Sequence, residues 1–110
     1  MRLEYYDKDI LKNQLKEITG RYLDLSQFRL FFFGSRVSGT GDDRSDIDIG
    51  IDGPTPVSFE AMRKIREDIE ELPMLYKLDV VDFKQTSSTF QKVAKENLEI
   101  INEPQPDQSL

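Results

Sequence analysis

The chain is predicted to fold as an α/β sandwich, a small, largely mixed sheet packed by helices. Two observations predict it. Residues 28–33, 46–51 and 76–83 are short runs rich in Phe, Ile, Leu and Val that read as strands. Between and around them lie three longer stretches whose apolar residues recur at helical spacing. A length of 110 residues suits one domain with one hydrophobic core, expected at residues 1–102, with 103–110 as a polar, mobile tail.

The elements follow in order. Residues 7–19 form a helix: Asp7 caps its start, Ile10, Leu11, Leu15 and Ile18 make an apolar stripe, and Gly20 stops it. FRLFFF, residues 28–33, fits a buried central strand. Its contiguous Phe31, Phe32 and Phe33 read as core rather than as a base-stacking platform. Gly34 ends this strand, and a turn or short helix follows. Residues 46–51 alternate, with Asp46, Asp48 and Gly50 on one face and Ile47, Ile49 and Ile51 on the other.

DGPTP is a loop by its turn residues. Ser58 then caps a second long helix whose buried stripe is Phe59, Met62, Ile65, Ile69 and Leu72, and Pro73 ends it. Its Arg63, Lys64, Arg66, Glu67 and Asp68 form an ordinary solvated face. Residues 76–83, YKLDVVDF, give a third strand, and residues 88–102 a last helix with Phe90, Val93, Ala94, Leu98 and Ile101 facing inward.

Composition narrows the chemistry. With no histidine and no cysteine, the chain has no Ser-His-Asp triad, no thiol nucleophile, no disulfide framework and no usual zinc ligand set. Catalysis would rest on carboxylates, hydroxyls, Lys or Arg, and hard cations that prefer oxygen ligands. The net charge of -6 argues against broad binding to a nucleic-acid backbone, but it is compatible with a small nucleotide carried with magnesium. No segment approaches the roughly 20 apolar residues of a membrane span. The opening MRLEYYDKDI lacks the apolar core of a secretory signal, so the cytoplasm is the expected compartment.

The stretch FGSRVSGTGDDRSDIDIG concentrates the polar chemistry. Glycine at Gly34 lets the backbone turn sharply at the end of a buried strand. A helical turn after it would present free N–H groups and the Ser35 hydroxyl to an anion. Asp46 and Asp48, two apart in a strand, project from one face, where a divalent cation would turn their repulsion into ligation. Taken alone, the pair is equally well a polar strand face open to water, and Gly34-Ser35 an ordinary turn. Asp42 and Asp43 read as a solvated loop. A third carboxylate is available in LDVVDF, where Asp79 and Asp82 lie on opposite faces, so only one can join the pair. Asp79, flanked by Leu78 and Val80, is favoured, and Asp82 reads as the solvated one. For Asp79 the competing reading is a surface ion pair with Lys77 or Lys84. Tyr5, Tyr6, Tyr22 and Tyr76 are candidate partner contacts.

Together these residues resemble the signature of the nucleotidyltransferase superfamily that includes DNA polymerase beta. That signature is Gly-Ser, ten residues, Asp-x-Asp, and a third Asp on a later strand. Here it stands as Gly34-Ser35, the ten residues 36–45, Asp46-Ile47-Asp48, and Asp79. In length, and in its GSR and SDIDI text, the chain is similar to the minimal nucleotidyltransferases of prokaryotes, the MNT family.

The resemblance implies a polymerase beta-like nucleotidyltransferase fold and an enzyme dependent on Mg²⁺, with two ions. Such an enzyme moves a nucleoside monophosphate from ATP or another NTP to a hydroxyl. Family members are commonly paired with a HEPN-domain protein encoded next door. In those acting as antitoxins, the acceptor is a tyrosine of that toxin. Carried over by position, Gly34 and Ser35 would hold the triphosphate, with Arg36 steadying it. Asp46 and Asp48 would ligate both ions. Asp79 would ligate the ion nearer the acceptor and take its proton. One departure is Val37-Ser38-Gly39, where relatives often have Ala-Arg-Gly, so an arginine contact to phosphate at Ser38 is missing. With no separate acceptor domain, a partner subunit is expected to complete the site, and self-association is compatible. The alternative from another class is a non-catalytic antitoxin that inhibits a HEPN partner by binding.

Overall fold

The computed structural model describes residues 1–39 and 45–104. The most apolar run, Arg29–Phe33, becomes an inner strand, β1. It is paired on one side with β2 (Ile47–Asp52) and on the other with β4 (Glu99–Asn102), both antiparallel. Strand β3 (Leu78–Asp82) runs parallel to β2, as a crossover through a helix requires, and gives the order β3-β2-β1-β4.

Side-chain alternation sends the two faces of this sheet to different partners. Leu30 and Phe32 of β1, with Ile47, Ile49 and Ile51 of β2, face helices α1 (Lys8–Gly20) and α3 (Phe59–Glu70). There they meet Leu11, Leu15, Ile18, Met62, Ile65 and Ile69 in the main core. Each such side chain buried contributes about 1.5–3 kcal/mol. Asp7 caps α1 by accepting from the Asp9 and Ile10 N–H groups, and Ser58 caps α3 by accepting from Ala61 N–H. On the opposite face Phe31, Phe33 and Phe83 form a smaller cluster, against which Val81, Ala94 and Leu98 pack. Gly50 is part of that arrangement, because a side chain there would overlap the Phe31 ring.

The C-terminal region departs from expectation. The helix expected over residues 88–102 stops early as α4 (Ser88–Ala94), and the chain returns as β4, so the sheet has a fourth strand. Phe90, Val93, Leu98 and Ile101 satisfy a helical period, but Ile100 and Ile101 are β-branched and the exposed side of β1 offers a ladder. Phe90 and Val93 are therefore not core residues: they are 40% and 63% exposed. Two other expected stripe residues also lie outside the core. Phe59, at the first turn of α3, is 84% exposed, and Ile10 is 53% exposed. Strand β3 is shorter than residues 76–83, because Phe83 opens a 3-10 turn, Phe83–Gln85. Gly20 is the last residue of α1, with Arg21 after it still right-handed, so no left-handed stop is used. Asp42 and Asp43 lie outside the described residues, as does most of the expected tail.

Long-range ties hold the layers in place. Arg21 and Tyr22, beyond α1, both bond Asp68 of α3. Glu99 of β4 is paired with the Met1 amino group, Lys8 and Lys12. Burial works to raise the Glu99 carboxyl, but hydrogen bonds from these three cations outweigh it and hold its pKa below the ordinary value. Gln91 of α4 donates to the Phe83 and Thr86 carbonyls, and Lys95 pairs with Asp52, fixing α4 over the small cluster.

Candidate active site

The aspartates expected to work together do share one place. In the parallel β2–β3 pair Asp48 lies beside Asp79, and the pleat points both side chains to the α4 side of the sheet. Asp46 stands two residues earlier, just before β2, on the same face and exposed. In the antiparallel β1–β2 pair the neighbour of Asp48 is Phe33, so Gly34 leaves β1 at the Asp48 side chain.

Gly34 has φ 84 and ψ -162, a conformation essentially restricted to glycine. A Cβ added to it would overlap Asp48 Oδ2 and stand 3.1 Å from Asp48 Cγ. The Gly34 backbone is thus pressed against the carboxylate. It then turns at once into the single helical turn α2 (Ser35–Ser38), where Val37 and Ser38 N–H both bond the Gly34 carbonyl.

The electrostatics reflect this crowding. Burial pushes the Asp48 carboxyl above its ordinary pKa, and the charges of Asp79 and Asp46 push it the same way. None of the three carboxylates has a hydrogen bond or ion pair with a described residue. In particular, Asp79 does not pair with Lys77 or Lys84; Lys84 instead stands 3.9 Å from Asp52. Like charges gathered with no counter-ion among the described residues are what a cation would relieve, and an all-carboxylate donor set matches a hard ion. Among the described residues no group of three acidic side chains is drawn together closely enough to hold a metal ion as it stands.

Asp82 is not the solvated residue expected from its place near the strand end. It is 7% exposed, and its carboxylate accepts from Val57 N–H at 2.8 Å, Lys84 N–H at 3.0 Å and Gln85 Nε2 at 3.2 Å. It closes the 3-10 turn and ties the loop before α3 to the sheet, on the face away from Asp48. The Val57 partner, 25 residues away, is the signal that local reading lacks.

Arg36 points toward the N-terminal segment. Its guanidinium lies 5.0 Å over the Tyr76 ring and donates to the carbonyls of Ser45 (3.3 Å) and Arg2 (3.2 Å). Tyr76 in turn accepts from the Glu4 and Tyr5 N–H groups through its hydroxyl. Arg36 thereby joins α2 to the approach of Asp46.

Beside Gly34 and Asp48 opens a cavity of about 430 Å³, whose walls include Phe33, Phe90, Val93 and Ala94. Three of these, Phe90, Val93 and Ala94, have the spacing of a core stripe, yet Phe90 and Val93 are exposed. Their place in this wall follows from the early end of α4.

Comparison with known proteins identifies the family and the fold. The family model described as "Polymerase beta, Nucleotidyltransferase" matches residues 13–106. The chain is 29% identical over 76 residues to the probable protein adenylyltransferase MntA of Haemophilus influenzae, a match covering 69% of this chain and 67% of that protein. Among solved structures, it is similar to a toxin–antitoxin crystallised with AMP-PNP (18% identity, TM-score 0.65, 82% of this chain and 71% of that one). It is also similar to the tri-AMPylated Shewanella oneidensis HEPN toxin in complex with MNT antitoxin (15% identity, TM-score 0.62, 84% and 71%). At these identities the structural matches speak for the fold. No helix among the described residues is long and apolar enough to cross a membrane.

Proposed function

Because this chain belongs to the polymerase beta nucleotidyltransferase family, we propose that it is a protein adenylyltransferase that moves AMP from ATP to a tyrosine hydroxyl of a HEPN-type toxin partner. The observation that carries this reading is the meeting of Gly34, Asp48 and Asp79: a strand-ending glycine pressed on one carboxylate, with a second carboxylate beside it.

In this reading the Gly34-Ser35 turn receives the triphosphate, close enough to the backbone that no side chain intervenes. Asp46, Asp48 and Asp79 would hold Mg²⁺, two ions in the full complex, which when bound supplies charge neutralisation of the departing pyrophosphate and a lower pKa for the acceptor hydroxyl. The acceptor oxygen attacks the α-phosphorus in line. The bond from that phosphorus to the α–β bridging oxygen breaks, and pyrophosphate leaves. The acceptor proton passes to Asp79, the outermost of the two paired aspartates because β3 is an edge strand. Asp46 and Asp48 hold the reacting centre. Arg36 ties Ser45 to α2 and so sets where Asp46 stands.

The test incubates the protein with labelled ATP, Mg²⁺ and the HEPN-type partner, beside an Asp46→Asn/Asp48→Asn variant. Transfer of label to the partner by the wild type alone is expected. Equal neutralisation of the partner by both proteins, with no label transferred, would instead make the chain a binding antitoxin.

A further inference from the structure

We propose that the cavity beside Asp48 is the nucleoside subsite, with Phe90 and Val93 of α4 as the wall against which the nucleobase lies; this rests on the nucleotidyltransfer reading above. Three observations converge on it.

The first is continuity. Gly34 and Asp48, the phosphate and carboxylate side of the site, themselves line the cavity, so a ligand held there reaches Phe90 and Val93 without leaving it. Its volume, about 430 Å³, falls in the range of small-molecule sites. The second cavity near the aspartates, about 380 Å³, is lined by Asp79, Phe59 and Arg66 but by neither Gly34 nor Asp48. It therefore lies away from the phosphate end.

The second is the character of the wall. Phe90 and Val93 sit three apart on α4 and share one side of it. They are exposed although the helix has a core to pack against. The Phe90 ring is held edge-on by Phe33 (centroids 6.0 Å, 85° between planes) and by Phe83 (5.6 Å, 62°). A side chain fixed from behind and open in front offers a ready surface to a flat ring, with little ordering left to do on binding.

The third is the rim. Besides Asp48, Ser38, Glu96 and Asn97 bring hydroxyl, carboxylate and amide groups to a lining whose other side chains, Phe33, Phe90, Val93 and Ala94, are apolar. A nucleobase has that same division, two apolar faces and a polar edge. Stacking is indifferent to which base is present, so any discrimination falls to those edge groups.

The experiment measures equilibrium binding of ATP and of inorganic tripolyphosphate, each with Mg²⁺, to the wild type, Phe90→Ala, Phe90→Tyr and Val93→Ser. Wild type is expected to bind ATP at least about tenfold tighter than tripolyphosphate. Phe90→Ala is expected to weaken ATP on the order of tenfold while leaving tripolyphosphate within about twofold, and Phe90→Tyr to restore it. Val93→Ser, at the more exposed position, should shift ATP alone by a few-fold and decides the matter if Phe90→Ala does not fold. Equal weakening of both ligands, or of neither, overturns the subsite. Loss of partner binding with both affinities unchanged also overturns it, and assigns the wall to the protein partner. If neither ligand binds the wild type, the nucleotidyltransfer reading fails first, and the subsite with it.

Discussion

The space that a Gly34 side chain would fill is taken by the carboxylate of Asp48. The glycine and the aspartate of the motif, fourteen positions apart in the chain, are thus two sides of one contact, made because Phe33 and Asp48 are neighbours across β1 and β2. Two separate demands fall on this residue, the backbone angle and the close approach. Only glycine meets both.

Gly34→Ala should therefore damage activity more than it damages the fold. The strained angle costs about 1–3 kcal/mol of stability. Relief of the overlap must push Asp48 aside, and a displacement of about 1 Å at a reacting centre can cost on the order of 100-fold in rate. Nucleotide-transfer rate and thermal midpoint, measured on the same preparation, would check both halves. Activity within about threefold of wild type would show that the contact is not needed.

Asp79 and Asp82 should separate cleanly in experiment although they lie three residues apart. Asp79 is exposed and has no partner among the described residues, so Asp79→Asn should leave stability within about 0.5 kcal/mol and abolish transfer. Asp82→Ala strands the Val57 and Lys84 N–H groups and should cost about 2–3 kcal/mol in chemical denaturation. The reverse pattern, a stable and inactive Asp82→Ala beside an active Asp79→Asn, would exchange their roles.

Asp48 makes stability depend on pH in the direction opposite to a salt-bridged carboxylate. Burial, then the charges of Asp79 and Asp46, raise its folded pKa above the unfolded one. The protonated form is thus favoured by folding. That contribution is fully present below the unfolded value and is lost as pH rises through the folded one. In metal-free buffer, Asp48→Asn should flatten this decline and lift the neutral-pH midpoint. Water around the half-buried group limits the gain to roughly a few degrees. Mg²⁺ should stabilise the wild type and not the variant. Parallel pH curves for the two proteins would rule this out.

What could be read directly from the chain was local. Asp7 and Ser58 cap their helices within three residues, and Ile47, Ile49 and Ile51 declare by alternation which side of β2 is core. The shared face of Asp46 and Asp48 follows from that same alternation, which for the third carboxylate says only that Asp79 and Asp82 point opposite ways. What escaped was non-local. Residues 98–102 fit a helix as well as a strand, and the decision came from a ladder with β1, some seventy residues earlier. Asp82 is buried by a loop it caps, and Phe90 is exposed because α4 ends at Ala94. In each case the deciding partner lies far along the chain.

Arg36 is where motif and geometry differ most usefully. The motif resemblance would put it on the triphosphate, yet its guanidinium rests over Tyr76 and holds the Ser45 and Arg2 carbonyls. A group so engaged acts on the position of Asp46 more than on ATP itself. Arg36→Lys keeps the charge but loses the planar fork that bridges two carbonyls and stacks on a ring. It should lower kcat by about five- to tenfold and leave the KM for ATP within about twofold. Tyr76→Leu, which removes the ring beneath the guanidinium, should shift kcat in the same direction. A rise in KM of about tenfold or more in Arg36→Lys, with kcat unchanged, would return Arg36 to the triphosphate. The split between the two constants decides it, because a merely looser fold would lower activity without separating them in this way.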